Sequence, residues 1–195
     1  QRIIFNGNGY SDEWVAEAEK RGLPNFRSTV DCVPHYADAK NVALLQKFGV
    51  LSEKEIKARM EVLLENYAKT INIEALTMID MTKKKYIPTC IAYTKELCDA
   101  AAVKQSLDIC SCVEKELAEK VSSLTKAAYE ATEKLETAVA AAAAKDDCVL
   151  SMAKSYREDV IPVMDDLRAA VDALEVITPS EKWPVPAYSD IIFNV

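Results

Sequence analysis

The feature that most constrains the fold is an unbroken apolar stripe between residues 113 and 142. Its members are Val113, Leu117, Val121, Leu124, Ala128, Ala131, Leu135, Val139 and Ala142. Residues that recur at steps of three and four lie on one face of an α-helix, so this segment predicts a long amphipathic helix. Such a helix buries its apolar face against other elements, and the rest of the chain must supply them.

Two further helical patterns can supply that cover. The first opens with a capping box, Ser52 followed by Glu55, and its stripe is Ile56, Met60, Leu63, Tyr67, Ile71, Ala75 and Met78. Beyond Pro88 the spacing resumes through Ile91, Leu97, Cys98 and Ala101. The last stripe is Ala153, Tyr156, Val160, Met164, Leu167, Val171 and Leu174, with Pro162 inside it. We predict an all-α fold, an antiparallel bundle of three to four long helices kinked at the prolines.

The N-terminal part of the chain follows no single period. The chain opens with Gln1 and enters an apolar run at once, which predicts a piece cut from a longer protein. Ile3–Phe5 predicts a short strand, and residues 6–9 predict a turn because asparagine and glycine tolerate positive φ. Short helices are expected to end at Gly22 and Gly49, with a loop over residues 23–37 and Asp38 as a cap.

The C-terminal part is rich in proline and aromatic residues. Pro184 and Pro186 fix their own φ and restrict the residue before them, so we predict an extended tail that docks on a surface. The expected organisation is therefore residues 1–50 as short elements, 51–178 as the bundle and 179–195 as the docking tail.

Charge and cysteine spacing exclude several classes of protein. The chain has 31 acidic against 24 basic residues and a net charge of −7, whereas nucleic-acid-binding domains usually carry a basic surplus. No apolar run reaches the roughly 18 residues of a membrane span, so no membrane partner is expected. The six cysteines follow no ligand spacing, and Cys110 and Cys112 would face different directions on a helix. We predict reduced thiols, no zinc and a cytoplasmic protein.

Few residues could carry chemistry. Asn6-Gly7-Asn8-Gly9 precedes a helix, as phosphate-binding loops do, but lacks their third glycine and their lysine. Cys32 and His35 form at most half of a zinc site, because zinc takes about four ligands. A single histidine also cannot supply the two Glu-x-x-His motifs of a di-iron bundle.

Carboxylates on the long helices have a simpler explanation than catalysis. Glu61 with Glu65, and Asp165 with Asp166, are typical of solvated helix faces. The chain has no G-x-S-x-G motif for a nucleophilic serine. The sequence therefore assigns no catalytic, cofactor-binding or metal-binding residue to this chain.

Three segments resemble one protein family. They are IIFNGNGYSDEWVAEAEKRGLPN at 3–25, LLENYAKTINIEALTMIDM at 63–81 and WPVPAYSDIIF at 183–193. Together they resemble the C-terminal region of type III glutamine synthetases, the large bacterial form of that enzyme. The resemblance implies that the parent enzyme ligates ammonia to glutamate with ATP and Mg or Mn. It implies that the catalytic barrel lies upstream, so residues 1–50 are the end of the catalytic-domain region.

The resemblance also implies a role for this chain. It would be a helical domain without its own active site that packs on the catalytic domain of the same chain and supports a homo-oligomer. Trp183, Tyr188 and Phe193 are expected to clamp the bundle to residues 1–50 and to the catalytic domain. The alternative is a free-standing helical scaffold or adaptor that binds partner helices, which should have polar rather than apolar ends. A small helical enzyme would instead need a pocket with perturbed ionisable groups.

Overall fold

The described part of the chain is entirely α-helical outside its turns. The computed structural model describes residues 4–145, 148–186 and 188–193, with only the backbone of Tyr188, Ser189 and Phe193. No strand occurs within these ranges, as the all-α prediction requires. The chain divides into two compact units, unit 1 (Gln1–Tyr67) and unit 2 (Ala68–Val195).

The strand predicted at Ile3–Phe5 is wrong for Ile4 and Phe5, and Ile3 lies outside the described residues. The Ile4 carbonyl accepts a hydrogen bond from Arg21 Nη1 at 2.6 Å. The Phe5 ring stacks on Trp14 with 4.6 Å between centroids. A strand needs a paired backbone, and side chains of the following helix occupy this segment instead.

Unit 1 is built from short helices. They are α1 (Asp12–Lys20), α2 (Thr29–Cys32) followed by a 3-10 turn (Val33–Ala37), α3 (Ala39–Lys47) and the first part of α4 (Glu53–Met81). Both predicted helix ends are confirmed, because Gly22 and Gly49 follow α1 and α3 with φ of 67° and 64°. The loop predicted over residues 23–37 is wrong beyond Ser28. The Ser28 hydroxyl accepts from the Asp31 N–H at 3.2 Å and starts α2.

The capping box at the start of α4 is confirmed. Glu55 N–H donates to Ser52 Oγ at 3.3 Å, and Ser52 N–H donates to Glu55 Oε2 at 2.7 Å. The hydrogen bonds from the Ser52 backbone and hydroxyl lower the pKa of the Glu55 carboxyl below its usual 4.5. The ionised carboxylate therefore belongs to the folded cap.

Replacing Ser52 by alanine is expected to lower the free energy of unfolding by about 1 kcal/mol at neutral pH. Because the pKa of Glu55 is lowered on folding, the part of the cap made by its carboxylate stabilises above the unfolded-state pKa and is lost as pH falls through the folded-state value. Urea denaturation of the wild type and S52A at neutral and acidic pH measures this. The difference should shrink in acid. Ser52→Thr keeps the acceptor, so a loss as large as in S52A would contradict the assignment.

Three long helical segments form unit 2. The first is the rest of α4, a π-turn (Thr82–Tyr86) and α5 (Ile87–Ser106). The second is α6 (Cys112–Ala143), and the third is α7 (Val149–Ser155), a π-turn (Tyr156–Val160) and α8 (Ile161–Ile177). Helix α6 packs against both α5 and α8. The ion pairs Lys104–Glu114 and Lys83–Glu136 show that α5 and α6 run antiparallel.

The helices continue through both internal prolines. Proline lacks the N–H that an α-helix needs for its i→i−4 bond. In each case a π-turn comes first, with Ile87 N–H donating to the Thr82 carbonyl and Ile161 N–H to the Tyr156 carbonyl, five residues back. Pro88 and Pro162 then lie in the first turn of α5 and α8. The wider turn is the local adaptation that carries each segment past its proline.

The core of unit 2 follows the predicted stripes closely on α6, α7 and α8. The buried members are Val121, Ala128, Ala131, Leu135, Val139, Ala142, Ala153, Tyr156, Val160, Leu167 and Leu174. Val113 was predicted in the stripe, but 65% of it is exposed. The Cys90 thiol lies within hydrogen-bonding reach of both Thr125 on α6 and Thr178, just after α8. The start of α6 therefore extends past the end of α8, which cannot cover Val113.

The stripe on α4 and α5 is displaced by one residue at several places, and the displacement exposes a predicted core residue at two of them. Leu64 is buried at 1% exposure, whereas the predicted Leu63 is 42% exposed. Likewise Cys90 is fully buried and Ile91 is 60% exposed. In both places two apolar residues are adjacent, so the spacing alone does not decide which of them faces the core.

The prediction that the whole tail is extended is wrong. Lys182 and Trp183 donate their N–H groups to the Pro179 carbonyl at 2.9 and 3.1 Å, which forms a turn. A short helix, α9 (Tyr188–Phe193), begins beyond Pro186, whose restriction reaches only its own φ and the residue before it. Trp183 is 8% exposed and stacks on Tyr86 with 5.1 Å between centroids. It therefore packs in the core of unit 2, while the clamp to residues 1–50 stays a prediction.

Candidate interaction surface

Unit 1 exposes more large apolar side chains than it buries. In its described part the buried apolar residues are Ala18, Val30, Val33, Ile56 and Leu64. The exposed large ones are Ile4, Tyr10, Phe26, Tyr36, Leu44, Phe48, Val50, Val62 and Leu63. Contiguous exposed apolar surface usually marks a place where another surface binds. An interaction surface is therefore the first kind of site to examine in unit 1.

Part of this surface forms a groove, here called the apolar groove. Its cavity volume is about 650 Å³. The 3-10 turn, α3, the α3–α4 turn and α4 contribute to its lining, which includes Tyr36, Leu45, Leu51, Met60, Val62 and Leu63. The Schellman ending of α3, in which Val50 N–H donates to the Leu45 carbonyl at 2.9 Å, fixes the turn that places Leu51 there.

The chemistry of the apolar groove suits packing rather than catalysis. The ionisable side chains among its lining residues are those of Tyr36, Glu55 and Arg59. Glu55 is already held by the Ser52 cap, which accounts for the lowered pKa of its carboxyl. A catalytic site needs a nucleophile or base in reach of a second polar group. The apolar groove instead offers aliphatic and thioether surface, which accepts apolar side chains of a partner segment.

The Asn6–Gly9 segment forms a local turn. Asn8 Oδ1 accepts from Tyr10 N–H at 3.0 Å, and the Asn8 carbonyl accepts from Ser11 Oγ at 2.9 Å. A Cβ added at Gly7 would lie 2.7 Å from the Phe5 ring, so any larger residue there would have to displace the ring. The segment therefore has a structural reason for its composition that involves no phosphate.

Cys32 and His35 do not converge on a common point with other ligands. His35 lies in the 3-10 turn, stacks on Phe26 at 4.3 Å and places Nδ1 3.0 Å from Asp38 Oδ2. Asp38 precedes α3, as predicted, but its carboxylate makes no capping bond to α3. Across the described ranges, no group of three or more His, Cys, Asp and Glu residues is placed to hold a metal ion.

The acidic residues singled out from the sequence lie on helix surfaces. Glu61, Asp165 and Asp166 are exposed, and Glu65 is half-buried. Two other residues are brought together unexpectedly. Cys110 Sγ and Cys112 Sγ are 2.7 Å apart, so the prediction that they face different directions is wrong. The prediction failed because Cys110 lies before α6, which begins at Cys112. Helical geometry therefore does not separate the two thiols.

Sequence reasoning missed the apolar groove, although one signal was present. Val62, Leu63 and Leu64 are three consecutive apolar residues on one helix. A buried stripe requires one residue at this level, and Leu64 supplies it. Val62 and Leu63 are therefore in excess of what the stripe requires, and both line the apolar groove.

None of the helices in the described residues is long and apolar enough to cross a membrane.

Comparison with known proteins gives a consistent answer about the family. The family model of the glutamine synthetase C-terminal domain matches residues 1–105.

Relatives extend the match to nearly the whole chain. A glutamine synthetase of Butyrivibrio fibrisolvens is 37% identical over 205 aligned residues, which cover 100% of this chain and 28% of the relative. A type-3 glutamine synthetase of Dictyostelium discoideum is 33% identical over an alignment that covers 98% of this chain and 27% of the relative. A glutamine synthetase of Bacteroides fragilis is 29% identical with the same coverage. The chain thus spans only 27–28% of the length of these relatives. With its family model and its relatives in agreement, this chain belongs to the glutamine synthetase C-terminal domain family.

Proposed function

We propose that this chain is the helical C-terminal domain of a cytoplasmic glutamine synthetase that ligates ammonia to glutamate with ATP and Mg or Mn. The chemistry takes place in a catalytic barrel outside this chain. The domain carries no active site of its own and serves packing and homo-oligomer assembly. In this proposal residues 1–50 end the catalytic-domain region, 51–178 form the bundle and 179–195 dock it.

The observation that carries the proposal is the uncovered apolar surface of unit 1 in a chain that matches about 28% of its relative's length. A unit whose described residues include five buried apolar ones and nine exposed large ones has little core of its own. The remaining length of such a protein offers the surface that completes it. We assign the apolar groove to packing on the catalytic domain of the same full-length polypeptide.

The test substitutes Leu63, which is 42% exposed and lines the apolar groove. In the full-length protein, Leu63→Asp is expected to lower the melting temperature and to reduce the assembled fraction several-fold. Burying a leucine contributes roughly 1.5–3 kcal/mol, and an unpaired carboxylate in the same contact adds a desolvation cost. Sedimentation and ammonia-dependent glutamine formation are measured together. Activity per assembled particle should be unchanged.

The matched control is Thr70→Asp, an exposed position on the same helix that has no part in the apolar groove. It introduces the same residue and charge but removes no large apolar side chain, so the particle should survive. An intact particle with an unchanged melting temperature in Leu63→Asp would contradict the packing role. A wild-type protein that forms no glutamine would contradict the parent activity itself.

A further inference from the structure

Backbone hydrogen bonds fix the start of the turn between α5 and α6. Asp108 N–H donates to the Gln105 carbonyl at 3.3 Å, and Ile109 N–H donates to the Lys104 carbonyl at 2.9 Å. Asp108 adopts φ of 55°. These two bonds around a left-handed residue form a Schellman ending, here with aspartate where glycine is usual. Cys110 follows directly and therefore has a defined position.

Side chains hold the far side of the same turn. Lys104 pairs with Glu114, which joins the end of α5 to the first turn of α6. Lys115 Nζ also donates to Gln105 Oε1 at 3.5 Å. Ser111, between the two cysteines, is only 7% exposed. The proximity of the thiols thus follows from a turn whose two ends are tied together.

Both thiols of this turn are exposed and free, with 2.7 Å between their sulfur atoms. Their contact makes them chemically unequal. Hydrogen bonds from the Cys112 thiol and backbone lower the pKa of the Cys110 thiol, although the nearby Glu114 charge opposes this, and the same contact with Cys110 raises the pKa of Cys112. Cys110 is therefore the thiol that ionises first, and Cys112 lies where it can react next.

We propose that Cys110 and Cys112 form a reversible dithiol–disulfide site that reacts with low-molecular-weight disulfides. The Cys110 thiolate attacks one sulfur of the small disulfide, its S–S bond breaks and one thiolate leaves. The Cys112 thiolate then attacks Cys110 Sγ, which closes the internal disulfide and releases the second small thiol. The protein loses two electrons and two protons, and the small disulfide is reduced to two thiols.

The other cysteines do not share this arrangement. Cys90 is buried, and its thiol is in hydrogen-bonding reach of Thr125 and Thr178. Cys98 is exposed on α5 and free, like Cys32 and Cys148. A lone exposed thiol can stop at the mixed disulfide, because no second thiol displaces the small thiol. The difference gives the experiment an internal comparison.

The test exposes the full-length protein to oxidised glutathione and maps its tryptic peptides by mass without reduction. Cleavage after Lys104 and Lys115 yields peptide 105–115, which contains Cys110 and Cys112 and no other cysteine. The neighbouring peptide 96–104 contains only Cys98. We expect peptide 105–115 to become lighter by two hydrogens without a glutathione adduct, and to recover with dithiothreitol. Peptide 96–104 should carry an adduct or remain a thiol.

One variant separates the attack by Cys110 from the ring closure by Cys112. In Cys112→Ser, peptide 105–115 should retain glutathione on Cys110, since the displacing thiol is gone. Circular dichroism checks that this exposed substitution leaves the helices intact. A wild-type peptide 105–115 that stays a dithiol, carries two glutathiones or crosslinks to a second chain would overturn the proposal.

Discussion

Replacing Leu135 by alanine is expected to lower the free energy of unfolding of the bundle by about 2–5 kcal/mol. Leu135 is fully buried on α6, the helix that packs against both α5 and α8. The substitution removes buried apolar surface and leaves a cavity. Because α5 and α8 hold α6 on two sides, the surrounding helices cannot move in to fill it. Urea denaturation followed by circular dichroism measures the loss.

Leu76→Ala provides the matched control, because Leu76 is 49% exposed on α4. The same atoms are deleted from a helix interior, but no closed cavity results, so a change within about 0.5 kcal/mol is expected. Equal losses in both variants would show that α6 is not the central helix of the bundle. The contrast tests the packing and not merely the hydrophobicity of the residue.

Periodicity in the sequence was sufficient to predict the large core residues of α6 and α8, because none of these has another large apolar residue directly beside it. Leu167 and Leu174 have polar or small neighbours, and both are fully buried as predicted. At Leu63–Leu64 and Cys90–Ile91 two apolar residues compete for the same place in the stripe. Only the positions of the neighbouring helices decide between them. The phase of an amphipathic helix is therefore predictable where the stripe is narrow, and not where it is wide.

The short elements were harder to predict because their stabilising contacts are local and polar. The turn residues Gly22 and Gly49 were sufficient to place two helix ends. Asp108 plays the same part after α5 with φ of 55°, but aspartate is too common in other settings to signal it. Without that turn, the start of α6 could not be placed. The approach of Cys110 to Cys112 was consequently missed.

The apolar groove shows a different limit. Its lining comes from separate elements of unit 1, and Tyr36 and Leu63 are 27 positions apart in the sequence. No local pattern relates residues so distant. What the sequence does show is a surplus of apolar residues over those the helical stripe requires, at Val62 and Leu63. Such a surplus indicates that a surface exists without indicating its shape.

Replacing Trp183 by alanine is expected to destabilise the bundle by about 3–5 kcal/mol. The indole is 8% exposed and stacks on Tyr86, which lies in the π-turn before α5. Removal of the ring takes away both the stacked pair and the apolar area that it buries. Thermal and urea denaturation of the W183A variant measure the loss. Trp183→Phe should lose less, since Trp183 Nε1 has no hydrogen-bond partner within the described chain.

A second variant separates this core role from docking by the rest of the tail. Deleting residues 188–195 leaves Trp183 in place, and Ile191 and Ile192 are exposed at 65% and 51%. The bundle should therefore keep its stability within about 0.5 kcal/mol. If the tail clamps the domain to the catalytic part, the same deletion in the full-length protein should dissociate the particle. An intact particle after deletion, combined with a destabilised W183A, would assign the tail to the bundle core alone and contradict the clamp.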